Sequence, residues 1–556
     1  MAPVPALIGP NGQPLAPSGR RPGSGMRGSF GGSSGSAPSA FPYEAANWST
    51  PEMSDWFPWI RSPDSEINLY RDRMVARQRD LVRNDGWASG VVDRILDSTV
   101  GVNFRLIANP DYRRLQLDNA LFDEVWFAEF RRAAEAYWRN YAVDLGRYND
   151  VERQQTVSQQ FRVALRHELV DGESLMLRYW LPDRIGLGAA QYASATLLVD
   201  PDRLSNPFQQ VDTATMRAGV EIDRLGVPIA AHVRKAHQND WYNAVESQEW
   251  DRIAWEDSDG FRRVVHGFKR DRASQHRGVS VFAPILSRMK MLAEYYGVEL
   301  QAARVASVFG TFITSPFDRD MVEEALSGAE ELNAYQDLRA DFHERKNLMM
   351  NRVRIPTLVP GEDIKSVSSA HPHGDFSPFT HEMLRSVAAA LGVSAEQVTQ
   401  DYSETNYSSA RAAIVEAEKT FKRRTADFEV NTATPIYAGW LHEAMDLGEM
   451  PMPKRGYVPS YLEARNAYAR CKWLGPARGW VDPVAERQGA VLGMDAGFDT
   501  LENVCADQGE DWEENIAQRR REKEAFEEAG LPLPQWMGPM MNANQVSQKP
   551  TKPEPV

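Results

Sequence analysis

Four histidines in this chain are each followed by glutamate: His167, His343, His381 and His442. A helix-borne zinc site of the His-Glu-x-x-His kind needs a second histidine four residues after the first, and none of the four has one. His371, His373 and His381 are close in sequence, but Pro372, Gly374 and Pro378 make this a turn-rich loop of solvated side chains. The two cysteines, Cys471 and Cys505, lie 34 positions apart, without the short spacing of a thiolate metal site or a disulfide framework. Gly31-Gly32-Ser33-Ser34-Gly35 matches the letters of a serine nucleophile elbow. It sits in a Gly/Ser-rich tract with no strand before it and no helix after it, so the match is accidental. No G-x-x-x-x-G-K-[ST] phosphate cradle occurs, and Gly186-Leu187-Gly188 has Gln191 where a dinucleotide loop needs its third glycine. No catalytic, cofactor-binding or metal-ligating residue is assigned. Asp and Glu are abundant, so a metal-dependent nuclease, or a protease, remains the alternative class.

The other candidate chemistry is ionic. Arg411, Lys419, Lys422, Arg423 and Arg424 fall on one predicted helix, Ser408 to Phe428, interleaved with Glu416, Glu418 and Asp427. Ala412, Val415 and Phe421 would give it a partly buried stripe. The bland reading is a solvated face with i,i+4 pairs such as Glu418 with Lys422. The formal net charge is −14 and the pI is near 5.4, which excludes a broad basic surface for nucleic acid. Contact with DNA would have to be weak or confined to such a patch. No run of 18 apolar residues exists to span a membrane, and no secretion signal is seen.

The elements that must position these residues follow from periodicity. Residues 1–40 hold nine Gly, seven Pro and seven Ser without a single acid, and read as a mobile tail. Order is expected to begin with Trp48, Trp56, Phe57 and Trp59. Helices are expected over 65–84, 86–100, 117–138 and 157–170, with Gly101 as a C-cap and a strand over 102–107. Strands are expected over 175–180 and 195–199, and 218–270 is β-rich. A helix of some 24 residues follows Pro284, spanning roughly 36 Å at 1.5 Å per residue. Further helices are expected over 320–346, 381–391, 408–428, 435–447 and 457–473, with strands at 310–314 and 352–359. The chain is acidic after Phe498 and ends in a Pro-rich tail.

Several motifs stand in a recognisable order: Arg79-Asp80-Leu81-Val82-Arg83-Asn84, Gly90-Val91-Val92-Asp93-Arg94, Leu169-Val170-Asp171-Gly172-Glu173 and Val199-Asp200-Pro201-Asp202-Arg203-Leu204. Gly219-Val220-Glu221-Ile222-Asp223, Arg277-Gly278-Val279-Ser280, Val359-Pro360-Gly361-Glu362, Leu391-Gly392-Val393-Ser394 and Asn406-Tyr407-Ser408-Ser409-Ala410-Arg411-Ala412-Ala413 follow. Over about residues 65–450 this series resembles the lambda-type portal proteins of tailed bacteriophages. The tract Trp241 to Gly260 is longer and more acidic than that pattern.

The resemblance implies an α+β portal fold with wing, stem, clip and crown, assembled as a ring, usually of twelve subunits, around a central channel. Carried over by position, 1–45 is a disordered tail, 46–282 the wing (β-rich over 175–270), 283–308 a stem helix and 309–376 the clip. Residues 377–392 are a second stem helix, 393–407 a tunnel loop, 408–430 a channel-side helix, 431–530 a wing/crown helical region and 531–556 a disordered tail. Arg411, Lys419, Lys422, Arg423 and Arg424 become DNA-channel candidates. Gln400, Asp401, Tyr402, Asn406 and Tyr407 become tunnel-loop candidates. The implied partners are double-stranded DNA without sequence preference, the terminase large subunit, major capsid or scaffold protein and a head-completion adaptor. No cofactor and no membrane are implied. The place is the capsid portal vertex of the virion, after assembly in the host cytoplasm.

Overall fold

The computed structural model describes residues 53–309, 376–403, 406–477 and 482–532 continuously. It also describes short pieces at 44–46, 50–51, 312–314, 334, 337–338, 340–341, 348–350, 353–355, 363–365 and 534. Trp48, both expected tails, and most of the 309–376 tract with its helix over 320–346 lie outside the described residues. The chain divides into two compact units, residues 1–61 and 62–556. In the first, the Met53 and Trp56 N–H groups close turns onto Thr50 and Met53, and Trp56, Phe57 and Trp59 are exposed.

The second unit opens with α1 (Pro63–Ile67) and α2 (Arg71–Asn84) instead of one helix over 65–84. The break falls at 68–70, where the Asn68 side chain donates to Asp212 at 2.7 Å and the Tyr70 N–H closes a tighter turn onto Ile67. Helix α3 (Gly86–Thr99) starts on the Asp85 carboxylate, which accepts from Ala88 N, and stops at Gly101, whose φ of +63° only glycine adopts freely. The expected helix over 117–138 is instead α4 (Tyr112–Gln116) and α5 (Glu124–Ala142). Asp123 accepts from Trp126 N at 2.9 Å, and this cap resets the start. Helix α6 (Val157–Val170) carries a reciprocal Thr156/Gln159 capping box.

The β-rich tract forms two antiparallel sheets. β2 (Ser174–Trp180) lies between β3 (Ser194–Val199) and β8 (Val264–Gly267). β4 (Met216–Arg217), β5 (Val220–Ile222), β6 (Pro228–Arg234) and β7 (Trp250–Ala254) follow in sequence order. β7 falls in the tract that is longer and more acidic than the portal pattern. Between the sheets Leu175, Leu177, Val199, Val220, Ala231, Val233 and Val264 form one apolar cluster.

Helix α7 (Leu286–Phe309) is the long helix foreseen after Pro284, and α8 (Phe376–Leu391) begins five residues earlier than its pattern indicated. Pro378 is tolerated because it sits in the first turn, where backbone N–H groups have no intrahelical acceptor. Arg288 meets Ser386 while Tyr295 meets Phe376 and Phe379, so α7 and α8 run antiparallel. Next come α9 (Ala395–Thr399) and α10 (Tyr407–Phe428). A π turn, Glu429–Ala433, joins α10 to α11 (Thr434–Asp446) without a break.

The expected helix over 457–473 is contradicted. Only α12 (Arg465–Tyr468) is helical, and Cys471–Leu474 is a strand. It pairs with β1 (Arg105–Ala108), Arg105 opposite Leu474. Trp473 there stacks on Phe104 at 5.2 Å and meets Phe161 edge-on at 5.7 Å, and this distant packing overrides local helical periodicity. The main core joins α3, α5 and α6 to α11 through Trp138, Tyr141, Tyr437 and Trp440. Helices α13 (Pro483–Asp495), α14 (Leu501–Asp507) and α15 (Trp512–Glu528) bury none of their own residues.

Candidate functional site

Two constellations hold the charged motif residues. The first is internal. Glu173, at the start of β2, is fully buried. Its carboxylate accepts from Arg277 Nε at 2.8 and 3.0 Å and from Gly278 N at 2.8 Å. Arg71 Nη2 stands 2.8 Å away, and His266 Nε2 lies 3.0 Å away. Arg277 also donates to the carbonyls of Pro201, Leu204 and Ala218, so one guanidinium ties two loops to one carboxylate. Burial alone would raise Glu173, but Arg277 and Arg71 outweigh it and hold the carboxyl well below its usual range. Burial pushes His266 down, which keeps it neutral near pH 7. Close backbone approach makes the site possible. A Cβ on Gly278 would lie 1.9 Å from Gly172 O, and one on Gly172, whose φ is +92°, would lie 2.6 Å from Ser280 N.

Arg79 closes the outer edge. Its Nε, Nη1 and Nη2 reach Asp171, Asp202 and Asp200, each at 2.7 Å. Burial works against this charge, yet the surrounding carboxylates leave it raised. His167 Nδ1 completes the edge, 2.6 Å from Asp171.

The second constellation is helix α10. Of the foreseen stripe only Phe421 is buried, along with Ala417 and Phe428, whereas Ala412 and Val415 are exposed. Arg411, Lys419, Lys422 and Arg423 are exposed. Lys419 pairs with Glu416 at 2.6 Å and Lys422 with Asp507 at 3.0 Å. At about 100° per residue, Arg424 lies about 200° round the helix from Lys422. It donates to Leu391 O at 2.6 Å, and burial, helped by Arg423, pulls it down to about 10. Arg424 therefore braces the end of α8.

The tunnel-loop candidates are partly structured. Ser394 and Gln397 form a capping box that starts α9 inside the expected loop 393–407. Gln400 ends α9 at φ +56°, and Asp401 accepts from Ser403 N, which with the Ser403 hydroxyl holds its carboxyl low. Tyr402 is about half exposed. Asn406 caps α10, its Oδ1 accepting from Ser409 N at 2.9 Å, and Tyr407 is the first helical residue. Between this segment and α3 lies a cleft of about 600 Å³ that includes Gln397, Tyr402, Lys422, Trp473 and Asp507. Among the described residues, no group of three or more His, Cys, Asp or Glu is placed to hold a metal ion.

Residues 49–425 match the family described as phage portal protein, lambda family. The portal protein of Escherichia phage N15 is 30% identical over 96% of this chain and 95% of its own. The chain belongs to the lambda family of phage portal proteins. Portal protein B of Escherichia phage lambda is 30% identical over 87% of this chain and 90% of its own. A chain in the neck of a native GTA particle computed with C12 symmetry is 14% identical, covering 72% of this chain and 93% of that one. Its TM-score of 0.33 is too low for any comparison of geometry. A lambda-family portal protein is structural and is not an enzyme, and the observed helices and sheets are those of an α+β portal fold. The portal motifs that sequence singles out supply Arg79, Asp171, Glu173, Asp200, Asp202 and Arg277 to the internal constellation. Arg71 and His266 belong to it as well and carried no motif. The signal that could have exposed the group is charge beside glycine: Asp171-Gly172-Glu173 and Arg277-Gly278.

Proposed function

We propose that copies of this chain close into a ring, of the order usual for portals, around a channel for double-stranded DNA at one capsid vertex. The observation that carries this reading is the lambda-family match over residues 49–425, with 30% identity to the N15 portal protein along nearly the whole chain. The antiparallel pair α7 and α8 serves as the stem, the tract between them as the clip, residues 393–407 as the tunnel loop and α10 as the channel-side helix. Terminase large subunit docks on this ring during packaging, a head-completion adaptor follows, and capsid or scaffold protein surrounds it. Assembly takes place in the host cytoplasm and the ring remains in the virion.

Translocating DNA must slide, and tight phosphate contacts would act as a brake. An acidic chain with a few exposed cations suits transient, sequence-independent contact. Electron microscopy of the purified protein should show closed rings with a central hole, and monomers or dimers alone under assembly conditions would overturn the reading. Arg411→Glu, Lys419→Glu and Lys422→Glu together should leave the ring intact and lower DNA retention in a packaging assay. Unchanged packaging would remove α10 from the channel. Arg424 is left out of that variant because it holds Leu391 O.

A further inference from the structure

Two clefts meet beside α10 and the π turn. One, of about 590 Å³, is lined by Trp255, Arg262, Phe268, Lys269, Arg270 and Arg423 among others. The second, of about 400 Å³, takes in Lys269, Arg423 and Arg424. Arg423, Asp427 and Asn431 line both, so the clefts form one trough.

Its charge is the reverse of the chain's. Together the two clefts hold five permanent cations, Arg262, Lys269, Arg270, Arg423 and Arg424, against the three carboxyl groups of Glu168, Asp271 and Asp427. The whole chain has 77 acids to 63 bases. The two histidines there add little: His266 faces Glu173 and His276 is tied to Asp64 at 2.8 Å. Lys269 is paired with Asp271, and Arg270 lies 5.6 Å from the centre of the Phe268 ring. Arg262, Lys269, Arg270 and Arg423 are all exposed. In the adjoining cleft, Arg424 Nη1 is buried with no hydrogen-bond acceptor among the described residues. Like charges gathered in a concave site repel one another unless an anion sits between them, and such a site concentrates anions. Guanidinium groups match phosphate oxygens in pairs.

We propose that this trough is a phosphate-binding site that takes phosphodiester groups of double-stranded DNA. The choice of DNA rests on the portal reading. It is favoured over an acidic peptide because Arg423, which lines both clefts, belongs to α10, the helix that the portal reading sets beside the duplex.

The test is fluorescence anisotropy of full-length protein with a labelled duplex across a salt series, comparing wild type with Arg262→Gln/Lys269→Gln/Arg270→Gln. None of these three residues belongs to the α10 patch. The triple variant should weaken duplex binding at least several-fold and flatten the log–log salt slope by about 0.9 for each phosphate that is no longer neutralised. The charge-conserving Arg262→Lys/Lys269→Arg/Arg270→Lys should restore most of both. An unchanged slope in the triple variant overturns the proposal, as does failure of the charge-conserving variant to recover it. Competition by inorganic phosphate or polyglutamate that depends on the three cations, with duplex binding unaffected by their loss, also overturns it in favour of a free anion or an acidic peptide. Particle images taken in parallel separate the two readings: rings whose duplex binding ignores the variant sink only the trough, and absence of rings sinks the portal reading.

Discussion

Glu173 keeps its charge in a dry interior only because Arg277, Arg71 and the Gly278 N–H surround it. Removing that charge strands two guanidiniums, so Glu173→Gln should destabilise the protein by about 3–5 kcal/mol, read as a lower denaturant midpoint. Acid acts in the same direction. The Glu173 carboxyl is held below its usual value in the fold, so its contribution is present above about pH 4.5 and is lost as pH falls through the folded value. Two other carboxyls have the opposite sign. Burial pushes Glu135 and Glu168 up to about 7, so the stability they contribute is full below about pH 4.5 and is lost as pH rises through 7. Glu135→Gln/Glu168→Gln should therefore flatten the fall in melting temperature between pH 5 and pH 8. The motif letters around Glu173 were legible in the sequence. Their meeting was not, because residues 71, 173, 266 and 277 share no local spacing and only the folded backbone brings them within 3 Å.

At the scale of elements, periodicity found the long helices up to α11 but not α13 or α15, and side-chain caps set several of the starts. Asp123 and Asn406 each replace a boundary drawn from periodicity with a side chain that accepts from the first turn, and Ser394 starts a short helix inside what the resemblance made a loop. Asn406→Ala should cost about 1 kcal/mol and fray the first turn of α10, seen as faster amide exchange at Ser408 to Ala410. It should leave the distant β1 strand protected. The strand at Cys471–Leu474 was not legible, since the tract before it repeats apolar residues at helical spacing while its partner β1 lies far earlier in the chain. The π turn was hidden as well: separate helices were expected over 408–428 and 435–447, and the single extra residue per turn at 429–433 leaves no compositional mark.

For the whole molecule, the α+β portal class was legible in the sequence because its motifs occur in a fixed order, although no one motif shows how distant parts of the chain close onto each other. That closure depends on Trp473, which fills the space between Phe104, Phe161 and Trp138. A chain ending at residue 470 should lose its cooperative thermal transition and be cut rapidly by protease within α3 to α6, whereas one ending at residue 481 should keep it. β1 thus waits through more than half of translation for its mate. Until residue 474 has left the ribosome, a nascent chain displays bare aromatic rings that chaperones and proteases can recognise. Polypeptides cut short by a nonsense codon would be culled at that stage, before they could poison a multi-copy assembly with a faulty member.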